Sequence, residues 1–555
     1  MADRARRWGV VPEYFAFRGD RVVASPKAQD AVLASLGATR ARPPRMKRYA
    51  LPDDACAQAP DRAWGWAIQL YALRSRDSWG VGDFGDLRRF ARWARRRGAS
   101  LILINPLGAQ VPSLPYEPSP YYSSSRRFLN AAYINVDAIS GAERCAPDLE
   151  SLRNAAQALN ARRLIDYDQV FELKSKALEL IFRAAPHPRG LKAWIQKEGD
   201  GLRDFATFNA LVETLGRAWR SWPEGVRQPR GAEVENRRRE LHERINFHQW
   251  LQFHLDRQLE QAATEIGMIT DVPLGFASDS FDAWRWQHLL APDMRVGAPP
   301  DEFFQDGQDW GVPPFDPWKL RAARCEPFVE AIRSAARHAA GVRLDHVMSL
   351  FRLFWIPSGM QAPQGVYVRY PADELLAFLA DESRRSNAFV VGEDLGLVEP
   401  SVRRRLRKRG ALSYRLLWFE GASPGRWPRD AVGAVGTHDL PTVAGIWNLT
   451  EPDRRLHRLR RRLLDVTRAP EGRSAFEVAI AAYKVLARAR SRIVLAQLED
   501  AIGVEERPNV PGTTTEFPNW RLALPLSLEE IERSAGTRRI ASVMRRAGRT
   551  LTSTL

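Results

Sequence analysis

The sequence predicts an α/β protein built on a (β/α)8 TIM barrel with large, mostly helical insertions. Three observations carry that expectation. Eight short apolar or β-branched runs recur along the 555 residues, most of them closing on a polar residue. Amphipathic stretches lie between several of these runs, and apolar strands alternating with helices imply parallel strands joined by crossovers. The length suits one α/β barrel with insertions as well as it suits several ordinary domains. Apolar residues at 45% and charged residues at 27% are globular values, which excludes a collagenous chain, a coiled-coil rod or wholesale disorder.

In chain order the runs are WAIQLYAL (66–73), SLILIN (100–105), GMITD (267–271), GVRLD (341–345), AFVVGE (388–393), LSYRLLWF (412–419), AVGTHD (434–439) and RIVLAQLED (492–500). Helical patterning covers Phe84–Arg97, Glu326–Ala340, Pro371–Ser386 and Ala475–Arg492. The spacing is uneven. Between the second and third runs the pattern is largely helical (Leu149–Leu159, Val170–Arg183, Gly201–Leu215, Glu233–Ile266), which reads as inserted helical subdomains. Between the third and fourth lies a Gly/Pro-rich segment, VGAPPDEFFQDGQDWGVPPFDPW (296–318). A loop that long in a compact domain is functional or disordered, and its Trp and Phe argue against disorder. The expected organisation is an N-terminal helical or irregular segment over 1–63 and a catalytic barrel over 64–555. A helical insertion at 110–265 and a cleft-covering loop region at 276–325 interrupt that barrel.

The charge balance, 83 − 66 = +17, makes a polyanion partner worth testing. The arginine clusters Arg88–Arg97, Arg403–Arg409 and Arg454–Arg462 lie in helical patterns with apolar residues interleaved, which reads as solvated helix faces. None adjoins a nucleic-acid motif, so no nucleic-acid partner is expected. Cys56, Cys145 and Cys325 lie far apart with no CxxC, against a disulfide framework or structural zinc. No secretory h-region follows the N-terminal charges, and no run nears the ~20 apolar residues of a membrane span. A cytoplasmic protein without a membrane partner is expected. Eighteen tryptophans are a high load that a core can absorb, although sugar-binding clefts also use flat aromatic faces.

The residues closing five of the runs are Asn105, Asp271, Asp345, Glu393 and Asp439, and in a barrel such positions converge on one mouth. Carboxylates at half-buried strand ends are costly unless paired or used. For any one of them the competing reading is a salt-bridged rim, with Arg343 neutralising Asp345. Three together, at 345, 393 and 439, fit glycosyl transfer. One ionised carboxylate attacks the anomeric carbon, a second with raised pKa protonates the leaving oxygen, and a third holds sugar hydroxyls. An arginine two residues before the nucleophile helps keep it ionised. Other motifs fail. Gly80-Val-Gly82-Asp-Phe-Gly85 matches GxGxxG literally but lacks a strand directly before it, and reads as a turn and helix start. His248 and His254 do not share a helix face, so no metal is assigned.

Nine segments then give the chain a family resemblance: SRDSWGVGDFGDL (75–87), INPL (104–107), SPYYSSSRRFLN (119–130), VGAPPDEFFQDGQDWGVPPFDP (296–317), VRLDHVMSLFRLFWIP (342–357), VYVRYPADELLAFLADES (366–383), VVGEDLG (390–396), THDLPTVAGIW (437–447) and NVPGTTTEFPNW (509–520). Through them the chain resembles the 4-α-glucanotransferases, the amylomaltase or disproportionating-enzyme family (glycoside hydrolase family 77), from about Trp64 to Trp520. The resemblance implies a retaining enzyme that passes α-1,4-glucan segments between maltooligosaccharides through a covalent glycosyl intermediate. By residue-wise carry-over it implies Asp345 as nucleophile, Glu393 as acid/base and Asp439 as transition-state stabiliser. Arg343 and His438 would then contact the sugar at the cleavage point, while Tyr121, Asp271, Asp301, Gln308, Trp310 and Asn509 would line the other subsites. No cofactor is implied. The implied partners are α-1,4-glucans as donor and acceptor, with a monomer or homodimer as the assembly. A retaining α-glucan hydrolase and a non-catalytic glucan-binding protein are the alternatives. Two departures stand out: Gly108 occupies a position where the family commonly has His, and the β-rich N-terminal domain of longer members is expected to be mostly absent.

Overall fold

The structure is a computed structural model that describes residues 2–15, 19–40, 42–46, 51–301, 304–396, 398–448, 454–470 and 472–549. Eight parallel strands close into a barrel. They are β1 (Ala63–Ile68), β2 (Leu101–Ile104), β3 (Gly267–Val272), β4 (Gly341–Leu344), β5 (Phe389–Gly392), β6 (Leu412–Leu416), β7 (Ala431–Ala434) and β8 (Ile493–Gln497). Each pairs with its sequence neighbour, and β8 closes on β1. All eight expected runs thus supply a strand, with two shifts. The first strand ends at Ile68 because the Asn105 side chain accepts the Leu70 N–H at 2.7 Å and the chain turns into a short 3-10 segment, Leu70–Ala72. The seventh lies at 431–434 rather than 434–439. Its small residues suit the ring of Trp427, which would stand 3.0 Å from a Cβ added at Gly433. Thr437, His438 and Asp439 are thereby moved off the sheet into the loop above it.

Local chemistry explains the crossovers. Asp83 caps helix Phe84–Arg96, accepting the Gly85 and Asp86 amides while Asp86 reaches back to the cap, so the literal GxGxxG is a turn and helix start. Arg88 and Arg92 of that helix bind Glu265, and Arg89 binds Glu529 and Glu532, so this arginine run docks neighbouring elements as well as facing solvent. Residues 106–266 hold helices Ala146–Ala158, Tyr167–Ala184, Leu191–Leu215, Ala232–Glu240 and His242–Ala263, the last lying against Phe84–Arg96 as the crossover helix to β3. His248 of this helix bonds Glu213 at 2.9 Å, and His254 is buried. Helix Ala475–Leu486 is shorter than its pattern, since residues beyond it feed β8.

The segment expected as a loop over 276–325 differs most. It contributes strands Met294–Ala298 and Gln308–Val312 to a five-stranded antiparallel sheet with Arg352–Pro357, Val366–Arg369 and, from the N-terminal segment, Val10–Val11. The N-terminal segment, expected to be helical or irregular, also forms a hairpin of Glu13–Phe15 and Arg21–Val23. These strands are short, and Val10–Val11 finds its partner Val366–Arg369 hundreds of residues away, which local patterning does not reveal. Trp64, Trp66, Trp79, Trp222, Trp250, Trp284, Trp355 and Trp427 are fully buried, so the tryptophan load serves mainly the core.

The closeness of β1 to β2 gives a stability prediction. A Cβ at Gly65 would lie 2.2 Å from the Leu101 carbonyl oxygen, a backbone atom that cannot swing away. Gly65→Ala should destabilise the barrel by about 3 kcal/mol or fail to fold. A lowered urea midpoint is the expected result, and a wild-type midpoint would show that the two strands can separate freely.

Candidate active site

At the C-terminal mouth of the barrel, parallel register sets Arg343 of β4 beside Asp271 of β3. The Arg343 guanidinium donates through Nη1 to both Asp271 oxygens at 2.6 and 2.5 Å, and through Nη2 to Asp345 Oδ1 at 3.3 Å. One buried cation therefore serves two carboxylates, and it stays charged because guanidinium does not release its proton in proteins. The Tyr414 ring lies 5.9 Å from it, and Tyr121 Oη donates to Asp271 Oδ2 at 2.5 Å.

Asp345 follows β4, its amide bonded to the Val272 carbonyl. The next residue, His346, sits at φ +43°, a left-handed conformation that costs a side-chain-bearing residue energy and that clusters at functional sites. That turn aims the His346 N–H at Glu393 Oε2 (2.9 Å), while the Leu395 N–H serves Oε1 (3.0 Å). Glu393 is thus fixed by backbone at both oxygens. Burial pushes Asp345 up to about 7; Arg343 opposes this, and the charges of Asp271, Glu393 and Asp439 add to it. Burial also raises Glu393, against the pull of Arg343 and its two amide bonds.

Asp439 behaves oppositely. Burial alone would raise its carboxyl, but the His438 charge and bond outweigh it and, with Asn509, hold it below the usual carboxylate range. His438 Nε2 is 3.3 Å from Oδ2, and Asn509 Nδ2 donates to Oδ1 at 2.7 Å. His438 is raised in turn: burial would lower it, and Asp439 overrides that. The site holds a carboxylate kept ionised, two carboxyls biased toward their protons, and a fixed cation within electrostatic reach of all three.

A family model described as 4-alpha-glucanotransferase matches residues 68–527. The chain belongs to the 4-alpha-glucanotransferase family. It is 38% identical over 554 aligned positions to the 4-alpha-glucanotransferase of Mycobacterium tuberculosis, covering 88% of this chain and 75% of that one. The Haemophilus influenzae 4-alpha-glucanotransferase is 32% identical, with 84% and 76% covered. The crystal structure of amylomaltase from Corynebacterium glutamicum superposes with a TM-score of 0.84 at 26% identity, covering 98% of this chain and 99% of that one. By membership in the 4-alpha-glucanotransferase family, the protein is an enzyme of glycosyl transfer.

Most of the residues singled out from sequence share this mouth. Asp271, Arg343, Asp345 and Tyr121 form one bonded chain, and Asp439, His438 and Asn509 another; Glu393 is joined to the first by the His346 turn. Trp310 stands edge-on to His346 at 5.3 Å, bringing strand Gln308–Val312 to the rim, and Gln308 Oε1 accepts its indole N–H at 3.2 Å. Asp301 is used within its own loop, where its carboxylate accepts the Phe304 N–H at 2.7 Å. Gly108 has no room for a side chain, since a Cβ there would lie 2.6 Å from the Ser125 carbonyl oxygen. Trp520 was missed: its ring lies 5.1 Å from Tyr121 and 5.3 Å from His438, completing an aromatic wall. His346 was missed too, because its part is played by a backbone amide that its residue type does not advertise. Among the described residues no group of three or more His, Cys, Asp or Glu is placed to hold a metal, and no helix is long and apolar enough to cross a membrane.

Proposed function

We propose that this protein transfers α-1,4-glucan segments between maltooligosaccharides by double displacement with retention. The observation that carries the reading is the opposed protonation of the buried carboxyls around Arg343, with Asp439 lowered and Glu393 raised. Glu393 gives its proton to the glycosidic oxygen as that bond breaks. Asp345 attacks the anomeric carbon, and the reducing-end fragment leaves as an alcohol, with a β-linked ester on Asp345. The 4-hydroxyl of a second glucan then gives its proton to Glu393 and attacks the anomeric carbon as its bond to Asp345 breaks, restoring the α-1,4 link and freeing the Asp345 carboxylate. Two inversions give retention. Asp439, with His438 and Asn509, holds the ring hydroxyls as positive charge develops at the anomeric carbon.

Charge on Glu393 is among the influences raising Asp345, so a proton on Glu393 favours an ionised Asp345 beside Arg343. The pair carries one proton in the active form. Transfer prevails over hydrolysis when a bound sugar reaches the ester before water, which calls for a covered, aromatic acceptor site. The region 276–325, with Trp310 at the rim, is suited to be that cover.

Maltotriose tests the reading. The expected products are glucose and a ladder of longer maltodextrins with little gain in reducing ends. Reducing ends that rise without chain lengthening would make the protein a hydrolase, and an absence of turnover would remove the catalytic reading.

A further inference from the structure

At the barrel mouth a partly open cleft of about 430 Å³ is walled by Gln69, Asp271, Arg343, His438, Gln497 and Glu499 among others. Glu499 is the unexplained member. It follows β8 on the short helix Leu498–Ile502 and is 6% exposed. Its neighbour Asp500 is engaged, accepting the Val443 N–H at 2.8 Å and the Tyr483 hydroxyl at 2.7 Å. Glu499, by contrast, meets its own backbone amide and bonds no other side chain among the described residues, although a buried carboxyl so thinly partnered is costly. Two buried polar atoms nearby are unpaired: Gln69 Oε1 in the wall of the cleft and Tyr71 Oη beside it. A buried acid bonded only to its own amide faces the same cleft as Asp271, Arg343 and His438.

Resting on the function proposed above, we propose that Glu499 is a positioning residue of the transfer site, acting across this cleft to hold His438 in its charged form against Asp439. The groups facing Glu499 support this. Asp500 on its own helix, Tyr71 after β1 and Tyr483 on helix Ala475–Leu486 are neutral or anionic, and helix Ala535–Arg546 meets Leu498–Ile502 through Gly536 at the Ala501 carbonyl. The cations within reach are His438, from the loop after β7, and Arg163, from the helical insertion. His438 itself faces Asp439, Arg343 and Asp271. Burial pushes Glu499 up to about 7, so it is neutral below that pH and becomes an anion above it. The anion stabilises the imidazolium, so His438 keeps its proton, and its bond to Asp439, further into alkaline solution.

Glu499→Gln tests this without disturbing shape, since the amide is isosteric with the neutral acid. In 13C-histidine-labelled protein without glucan, with His438→Gln used for assignment, the His438 resonance should titrate about one pH unit lower in Glu499→Gln than in wild type. An unchanged midpoint overturns the proposal. With maltotriose, the wild-type to variant ratio of kcat/KM should grow about fivefold between pH 6 and pH 8. A ratio constant across pH would mark a purely structural residue and also overturn it. The resonance titration needs no turnover, so its outcome separates this proposal from the functional reading on which it rests.

Discussion

Asp345→Asn is expected to abolish the maltodextrin ladder, with kcat lowered by on the order of 10⁴-fold. An amide has no ionised oxygen to attack the anomeric carbon, so the first half of the reaction has no acceptor for the glycosyl group. The fold should survive, and in alkaline solution it should gain. Burial holds the folded Asp345 carboxyl up at about 7, above the value of an unfolded aspartate. The native state therefore binds the extra proton between about pH 4 and 7, and this residue's contribution to stability falls as pH rises through that window. Removing the charge relieves that penalty. The melting temperature of Asp345→Asn relative to wild type should be higher at pH 8 than at pH 4, while activity is lost at both. Ladder formation by chromatography and paired thermal melts check the two arms. Near-normal turnover would mean that another group is the nucleophile.

Glu393→Gln has the second-largest expected effect, and it should depend on the donor. With maltotriose, loss of the proton donor should cost about 10² to 10⁴-fold. With a maltosyl fluoride, whose leaving group needs no protonation, the first half should recover and the ester should accumulate on Asp345, visible as an added glycosyl mass on the intact protein. The acid limb for fluoride consumption should stay at its wild-type position, because Glu393 already carries its proton in the active form and puts no charge beside Asp345 there. Equal losses on both donors would show that Glu393 supports structure and not proton transfer.

The barrel strands were legible because each is a short apolar run with its own turn and helix signals, and such patterning is local. The seventh strand was misplaced by a few residues, since Ala431–Ala434 is a strand of small residues whose apolar cover, Trp427, comes from the preceding loop. The five-stranded sheet was not legible. Val10–Val11 and Val366–Arg369 pair across most of the chain, and two-residue strands carry no periodicity. Trp520 read as one more core tryptophan until the structure set it against Tyr121 and His438.

The sequence by itself determined that eight strands alternate with helices and that carboxylates follow the fourth, fifth and seventh of them, because strand periodicity and strand-end residues are properties of contiguous chain. Only the tertiary structure decided what those carboxylates are. That Arg343 divides itself between Asp271 and Asp345, that Glu393 is held by two backbone amides, and that Asp439 is lowered while its neighbours are raised all follow from burial and from charges brought together across distant segments. A carboxyl group's proton affinity is set by the water it loses and the charges it meets, and neither is written in the residues beside it.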